Sequence, residues 1–499
     1  MELAYDPQTR LLELTDVAVD SPSLRVRADA RGWLRGMQAG FPEAVDGQIR
    51  ITELKADPEG IFADPVTFSA GAIDLRLELA PFRMTIGQLV LIDGARRISG
   101  RGAIGAEPAG WAVSLDTAID AIATDRLLAL WPVSLVPTTR DWLAENVATA
   151  ELFDVKTALR IRPGAEPRLS LGYEYRAAEV RFLRTLPPVE DGAGYATIHD
   201  FAYTLVVDKG HVTAPEGGPI DVAGSVLSVP DIRIKPAPAR VTLRTKSAIT
   251  AALSLLDQPP FGFLGKSGTR VDIAEGRAEV EAVLDLVLAK KLAPGDVEYR
   301  VSGTLVDVTS DRIVAGRMLA APRLALTASP AGIAISGEAT LSGVPVAGRW
   351  QQDFGPEAAG RSRVEGTIEL SPRFIEAFAI GLPEGAVSGR GEGRIALDLT
   401  RGEPTRFTLG STLDGIGLAL PEVGWRKPAG ASGTLEVAGT LGTPPAVERL
   451  VLAAPGLRAE GGVTIAADGG LGLARLDRVQ LGDWFDGRVE LRGRGRGRA

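Results

Sequence analysis

From Gly276 to Arg349 apolar side chains recur two residues apart, and that spacing sets what the chain can become. Ala278, Val280, Ala282, Leu284, Leu286 and Leu288 alternate with Glu279, Glu281 and Asp285, and Val283 and Val287 complete the run. Side chains two apart share one face of a strand, so the run predicts a strand with one strongly apolar face. Ten such residues span roughly 33 Å, near the upper end for globular strands. A turn is predicted at Leu292–Asp296. Beyond it Val297, Tyr299, Val301 and Leu305 alternate with Glu298, Arg300, Ser302 and Thr304. A third run carries Leu324 and Leu326. A fourth sets Ile333, Ile335, Ala339 and Leu341 against Ser336, Glu338 and Thr340. Four consecutive alternating runs predict an antiparallel meander with one apolar and one polar face.

The same pattern fills most of the chain. Strands are predicted around Leu11–Leu14, Leu24–Ala28, Ile49–Ile51, Ile73–Leu79, Ile86–Leu91 and Val113–Thr117, with RGWLRGMQAGFPEAV (31–45) as a loop or short helical crossing and Gly100–Gly105 as a turn. Two short helices are predicted at Ile122–Trp131 and Thr138–Val147, either side of the break WPVSLVP. Thr138 is placed as the cap of the second, three residues before Asp141, with Trp142, Leu143 and Val147 on its buried side. Further helices are expected at Ser247–Asp257, and from Ser371-Pro372 to Ile380 with Ser371 as N-cap. The unit of alternation, glycine turn and alternation recurs without a strict period, so solenoid repeat families do not apply.

Composition narrows the class. Formal net charge is −8, which argues against a general nucleic-acid binder. There is no cysteine, so disulfides, thiolate metal sites and cysteine nucleophiles are excluded. The 59 glycines and 33 prolines supply turns for many short strands, and aromatics at 5% do not suit a large aromatic core. No apolar run reaches the ~20 residues of a membrane-spanning helix. The start, MELAYDPQTR, has neither a basic nor an apolar leader segment, so nothing here is expected to export the chain by itself. The chain ends inside an apparent strand, RGRGRGRA, and a fragment of a longer protein is expected.

Motifs for covalent chemistry are absent. Gly100, Gly102 and Gly105 fit G-x-G-x-x-G, but a loop and a strand follow where a dinucleotide site needs a helix, so they read as a hairpin turn. Gly265-Lys266-Ser267 lacks the glycine five positions earlier that a phosphate loop requires; that residue is Pro260. His199 and His211 are the only histidines and have no clustered partner. Arg233, Lys235, Arg240, Arg244 and Lys246 make a basic run around PAPA, read as a solvated edge strand, with a lipid headgroup or acidic partner as the alternative. No catalytic residue, cofactor or metal is assigned.

Two stretches carry a family resemblance. WPVSLVPTTRDWLAENV (131–147) resembles the central region of the AsmA-like superfamily in its YhdP-type branch. PPFGFLGKSGTRVDIAEGRAEVEAVLDLVL (259–288), with its continuation through residues 297–350, looks like the core of the same family. The resemblance spans roughly residues 80–420. It implies a bacterial envelope protein, anchored in the inner membrane by a helix this chain lacks, with a β-groove in the periplasm and a part in phospholipid transport to the outer membrane. Inner- and outer-membrane envelope proteins are the partners it implies.

A one-faced apolar sheet must be covered. The predicted helices are too few and short to cover it, which leaves sheet on sheet, a closed barrel, or a curled sheet holding acyl chains. The expected fold is mostly β: an elongated, curled antiparallel β-sheet groove built from repeated hairpins and meanders, with a few short helices. Its segments are 1–120 (N-terminal β-groove), 121–260 (short helices plus β), 261–370 (long-strand meander) and 371–499 (C-terminal β-groove). The expected function is non-catalytic binding and transport of phospholipid. Acyl chains would be lined by Val280, Ala282, Leu284, Leu286, Leu288, Val301, Leu305, Ile333, Ile335 and Leu341. The alternative is an envelope assembly scaffold with a dry β-sandwich core.

Overall fold

The structure is a computed structural model that describes residues 1–265, 268–289, 294–358, 360–442, 445–466 and 471–493. The alternating runs become strands, each paired with its neighbours in antiparallel register. The chain packs as two units. The first comprises Met1–Thr245, Gln258–Phe261 and Val283–Val297; the second comprises Lys246–Asp257, Gly262–Ala282 and Glu298–Ala499.

The first unit opens with β1 (Glu2–Asp6), β2 (Leu11–Asp20), β3 (Leu24–Arg35), β4 (Ala44–Ala56), β5 (Val66–Phe68), β6 (Ala70–Leu79), β7 (Phe82–Asp93), β8 (Arg96–Glu107) and β9 (Gly110–Ala123). Helices α1 (Thr124–Leu130) and α2 (Pro137–Asn146) follow. Then come β10 (Val147–Ile161), β11 (Arg168–Val180), β12 (Val189–His199), β13 (Ala202–Thr213), β14 (Pro219–Asp221), β15 (Ser225–Val229) and β16 (Ala237–Ala248). After α3 (Ile249–Leu256), strand β17 (Glu275–Leu288) gives its first eight residues to the second unit and the rest to the first.

The second unit continues with β18 (Glu298–Val314), β19 (Arg317–Ser329), β20 (Gly332–Leu341), β21 (Val344–Asp353) and β22 (Arg361–Leu370). Helix α4 (Pro372–Ala377) and β23 (Val387–Gly389) precede β24 (Gly391–Thr400), β25 (Thr405–Ser411), β26 (Ile416–Leu420) and β27 (Trp425–Lys427). The unit closes with β28 (Thr434–Leu441), β29 (Ala446–Ala454), β30 (Leu457–Ile465), β31 (Leu471–Leu481) and β32 (Phe485–Arg492). The fold is thus mostly β, an antiparallel sheet of successive hairpins with a few short helices, as the alternation predicts. Strands β23, β26 and β27 form a separate three-stranded sheet.

In both units the insertions collect at one edge. In the first unit the long excursions leave β4, β9 and β13, which run in the same direction. In the second they leave β22 and β25, again parallel to each other. The chain returning from α3 enters at that same edge, where the Ser310 hydroxyl donates to the Ile273 carbonyl at 2.6 Å. The other ends of the strands are joined mostly by short turns.

Several local expectations are corrected. Residues 31–35 continue β3 and Ala44–Val45 begin β4, because Gly32 and Leu34 keep the alternation in register with Gly47 and Val45. Gly100, Gly102 and Gly105 lie inside strand β8 rather than in a turn; Gly100 faces Leu89 and Gly102 faces Ile86. In α2 the cap position is Val136, with Pro137 opening the helix, so Thr138 lies inside it and makes no cap. Trp142 is 40% exposed; its ring lies 6.1 Å from that of Phe182, which is itself 57% exposed. Helix α4 starts after Ser371 as expected, but that hydroxyl donates to Glu369 at 2.8 Å and the helix stops at Ala377. Lys266, Ser267, Leu292, Ala293 and the Arg-Gly residues 494–499 lie outside the described residues.

Candidate functional site: two apolar sheet faces

Cross-strand register lines the apolar side chains into rows. In the second unit Leu326, Ile335, Trp350, Val364, Leu397 and Phe407 are successive partners across β19, β20, β21, β22, β24 and β25. In the first unit a row runs from Ile49 through Ile73 and Leu89 to Gly100. It continues through Thr117, Thr157, Leu171 and Ile198 to Tyr203 and Val229. Because the side-chain period is two, each row puts its charged neighbours on the opposite face.

Ion pairs populate that opposite face. Asp46 takes Arg35 at 2.8 Å and Arg76 at 3.4 Å; Asp116 takes Arg160 at 2.6 Å and Arg101 at 3.4 Å. The hydrogen bond from Arg160 holds the Asp116 carboxyl below its usual range. In the second unit Arg363 reaches Glu365 at 2.7 Å and Arg449 reaches Glu436 at 3.1 Å. Exposed pairs of this kind add little stability; they fix which face meets water. A shallow depression of about 590 Å³ lies on this side of the second unit, its charged lining being Glu365, Arg394, Glu436 and Arg449. Ile395, Ala396, Leu409, Val437 and Ala438 also line it.

Bulges keep the faces in phase. Asp16, Asp154, Asp191 and Asp307 sit inside strands at φ between 49 and 55°. Aspartate visits this left-handed region more readily than branched residues. Asp16, Asp154 and Asp191 each insert one extra residue against a neighbouring strand and bend their own. After Asp307 the apolar face continues at Val308, three residues from Leu305, and both join one cluster.

In the second unit the cover lies at the insertion edge; in the first, Ile232 of the loop after β15 also packs on Val229, Ala237 and Ala239 at the opposite strand ends. Helix α3 lays Ile249 and Leu253 on Ala278, Val308, Ala321, Leu305 and Leu324. Helix α4 and the small sheet lay Phe374, Val387 and Ile416 on Val344, Ile368 and Leu370. The gradient along one strand is plain. On β22 Leu370 is 5% and Ile368 4% exposed, while Val364 on the same face is half-buried. Every member of the row from Leu326 to Phe407 is half-buried. The accessible surface of the chain is 29302 Å². One compact body of this mass would expose about 17,500 Å², and two separate compact bodies sharing the mass about 21,000 Å². The excess surface therefore belongs to the units themselves.

The ten residues singled out in the sequence divide between the units. Leu284, Leu286 and Leu288 belong to the first; Val280, Ala282, Val301, Leu305, Ile333, Ile335 and Leu341 belong to the second. Val280 and Leu305 pack against the cluster beneath α3, and Leu286 packs against Val229, Ala237 and Ala239. Leu288 is 45% exposed. Ala282, Leu284, Val301, Ile333, Ile335 and Leu341 are half-buried and outside the four clusters described. Longer members of the same faces, Trp350, Leu397 and Phe407, join the set through register, which the sequence alone does not give.

The other candidates do not converge. His211 faces Glu190 at 3.4 Å and His199 faces Asp200 at 3.3 Å, at opposite ends of the β12–β13 pair. In the basic run, Arg233 is tied to Asp231 at 2.6 Å and Glu166 at 2.5 Å, and its guanidinium lies 4.0 Å over the Phe201 ring. Arg240 is paired with Asp285 at 2.7 Å. Gly265 donates its amide to Asp257 at 2.6 Å, closing a turn after α3. Among the described residues no group of three or more histidine or acidic side chains could hold a metal, and no helix is long and apolar enough to cross a membrane. Comparison with known proteins finds no matching family model, no matching curated protein and no matching solved structure.

Proposed function

We propose that the apolar faces bind phospholipid acyl chains and that the chain serves lipid movement in a bacterial cell envelope. The observation that carries this reading is the gradient along β21 and β22: buried at the insertion edge, half-buried along the rest of the same face. A row of Leu, Ile, Val and aromatic side chains left in that condition loses free energy to water. Each methylene laid on it recovers about 0.8 kcal/mol. A chain of about fourteen methylenes gains of order 11 kcal/mol before the costs of ordering it. The periplasmic setting, the AsmA-like kinship and the envelope partners rest on the resemblance of residues 131–147 and 259–350. No catalytic residue is needed, since the work is passive burial.

A photo-reactive amino acid at Ile335 tests the reading by face. Ile335 lies in the apolar row, and Glu338 three residues on lies on the charged face. Cross-linking in cells to phospholipid from Ile335 and not from Glu338 supports it. Equal yields, or protein adducts alone at Ile335, overturn it. The second reading, an assembly scaffold with a dry core, draws on the clusters beneath α3 and α4. It expects protein adducts at Ile335.

A further inference from the structure

On the first unit's apolar face, two phenol hydroxyls meet. Tyr173 of β11 and Tyr203 of β13 bring their oxygens to 3.2 Å. Between them runs β12, whose Ala196 stands opposite Tyr173 and is fully buried, so its methyl leaves room for the rings to meet. Tyr175, two residues along β11, takes another course. It crosses over Gly194, where an added Cβ would overlap the Val206 carbonyl, and donates to that carbonyl at 2.9 Å. Three of the chain's six tyrosines thus share one patch of an otherwise aliphatic face.

The Tyr173–Tyr203 pair has hydrogen-bonding capacity to spare. One hydroxyl donates to the other, and the proton of the second has no protein acceptor among the described residues. Burial raises the ionisation range of both phenols, so both remain neutral donors. Tyr203 packs against Val229, Ala237 and Ala239, as do Leu227, Ile232 and Leu286, all apolar. The nearby cation Arg233 is already committed to Asp231 and Glu166. A neutral carbonyl would find a donor in this pair. Tyr203 is the second residue of β13, beside the turn at Asp200–Phe201, so the pair lies near the strand end opposite α1 and α2. A headgroup there would reach water while chains ran along the face.

Building on the lipid reading, we propose that the Tyr173–Tyr203 pair is a polar station that receives the ester carbonyls of a glycerolipid. Two ligands isolate this contact: dioleoyl phosphatidylcholine and its ether-linked counterpart, alike in chains and headgroup but differing in the carbonyls. The purified chain is titrated with each, and the dissociation constants are compared. The expected preference for the ester is about five- to tenfold, the weight of one hydrogen bond. The double variant Tyr173→Phe/Tyr203→Phe should keep its melting temperature and its ether affinity while losing the preference. Tyr175→Phe should lower the melting temperature and keep the preference. Equal affinities in the unmodified chain, or a preference that survives the double substitution, overturn the station and leave the lipid reading standing. Binding of neither ligand overturns both.

Discussion

Arg277 of β17 holds the carboxylate of Asp307 at 2.7 Å, and Asp307 stands inside β18 in the left-handed conformation, at φ 55°. The contact joins a charged-face ion pair to the backbone feature that keeps Leu305 and Val308 on one apolar face. Both side chains are about two-thirds exposed, so the ion pair itself contributes little. The left-handed conformation is what matters. Asp307→Val should cost about 2 kcal/mol, because a branched side chain is strained there. Asp307→Asn and Asp307→Gly should stay within about 0.5 kcal/mol of the parent. Urea denaturation of the three variants checks this; equal losses in all three would mean that the charge, not the conformation, matters at this position.

Lys427 is the deepest charge among the described residues of the second unit, with no exposed surface. Its ammonium donates to the carbonyls of Leu413 at 2.8 Å, Ile416 at 2.7 Å and Pro428 at 3.3 Å. It thereby ties β27 and the small sheet to the loop after β25, over the cluster of Leu413 and Ile416. Lys427→Met conserves the length and leaves buried carbonyls without a donor. A loss of about 2–4 kcal/mol in unfolding free energy is expected. A loss below about 0.5 kcal/mol would show that water replaces the ammonium.

Acid should loosen the turn that carries Arg233. Hydrogen bonds from the Arg233 side chain, then from its backbone amide, lower the Asp231 carboxyl from 3.8 to about 2. A folded-state pKa that is depressed contributes stability above the unfolded value, and that contribution is lost as pH falls through the folded value. The window is therefore pH 4 down to about 2. The melting temperature of the parent should exceed that of Asp231→Asn at pH 5, and the gap should close by pH 2. Asp272, held below its usual range by Arg270 and then Arg312, should act in the same direction. A gap independent of pH would show that Asp231 contributes only through neutral hydrogen bonds.

Much of this architecture was legible because alternation is local. The run from Ala278 to Leu288 needs no partner to declare a strand, and β17 covers it. The left-handed aspartates were not legible: V-D-V around Asp307 keeps an apparent alternation, and only the packing of Leu305 and Val308 in one cluster shows the change of phase. The glycines of β8 read as a turn because their role depends on Leu89 and Ile86 in the neighbouring strand. Thr138 read as a cap because its chemistry suits one, yet Pro137 fixes the helix start one residue earlier. The tyrosine pair was invisible, since thirty residues separate Tyr173 from Tyr203 and only the β11–β12–β13 register brings them together. Which apolar residues lie beneath α3 or α4 and which lie beyond them likewise depends on where the helices land.

The central claim is that the apolar faces beyond the helices take lipid. The most direct test purifies the chain from an exported form without detergent, extracts it with organic solvent and weighs the extract by mass spectrometry. The account predicts phospholipid in at least stoichiometric amount with a folded, monodisperse protein. A folded protein whose extract contains no lipid would contradict it, and the faces would then belong to a scaffold.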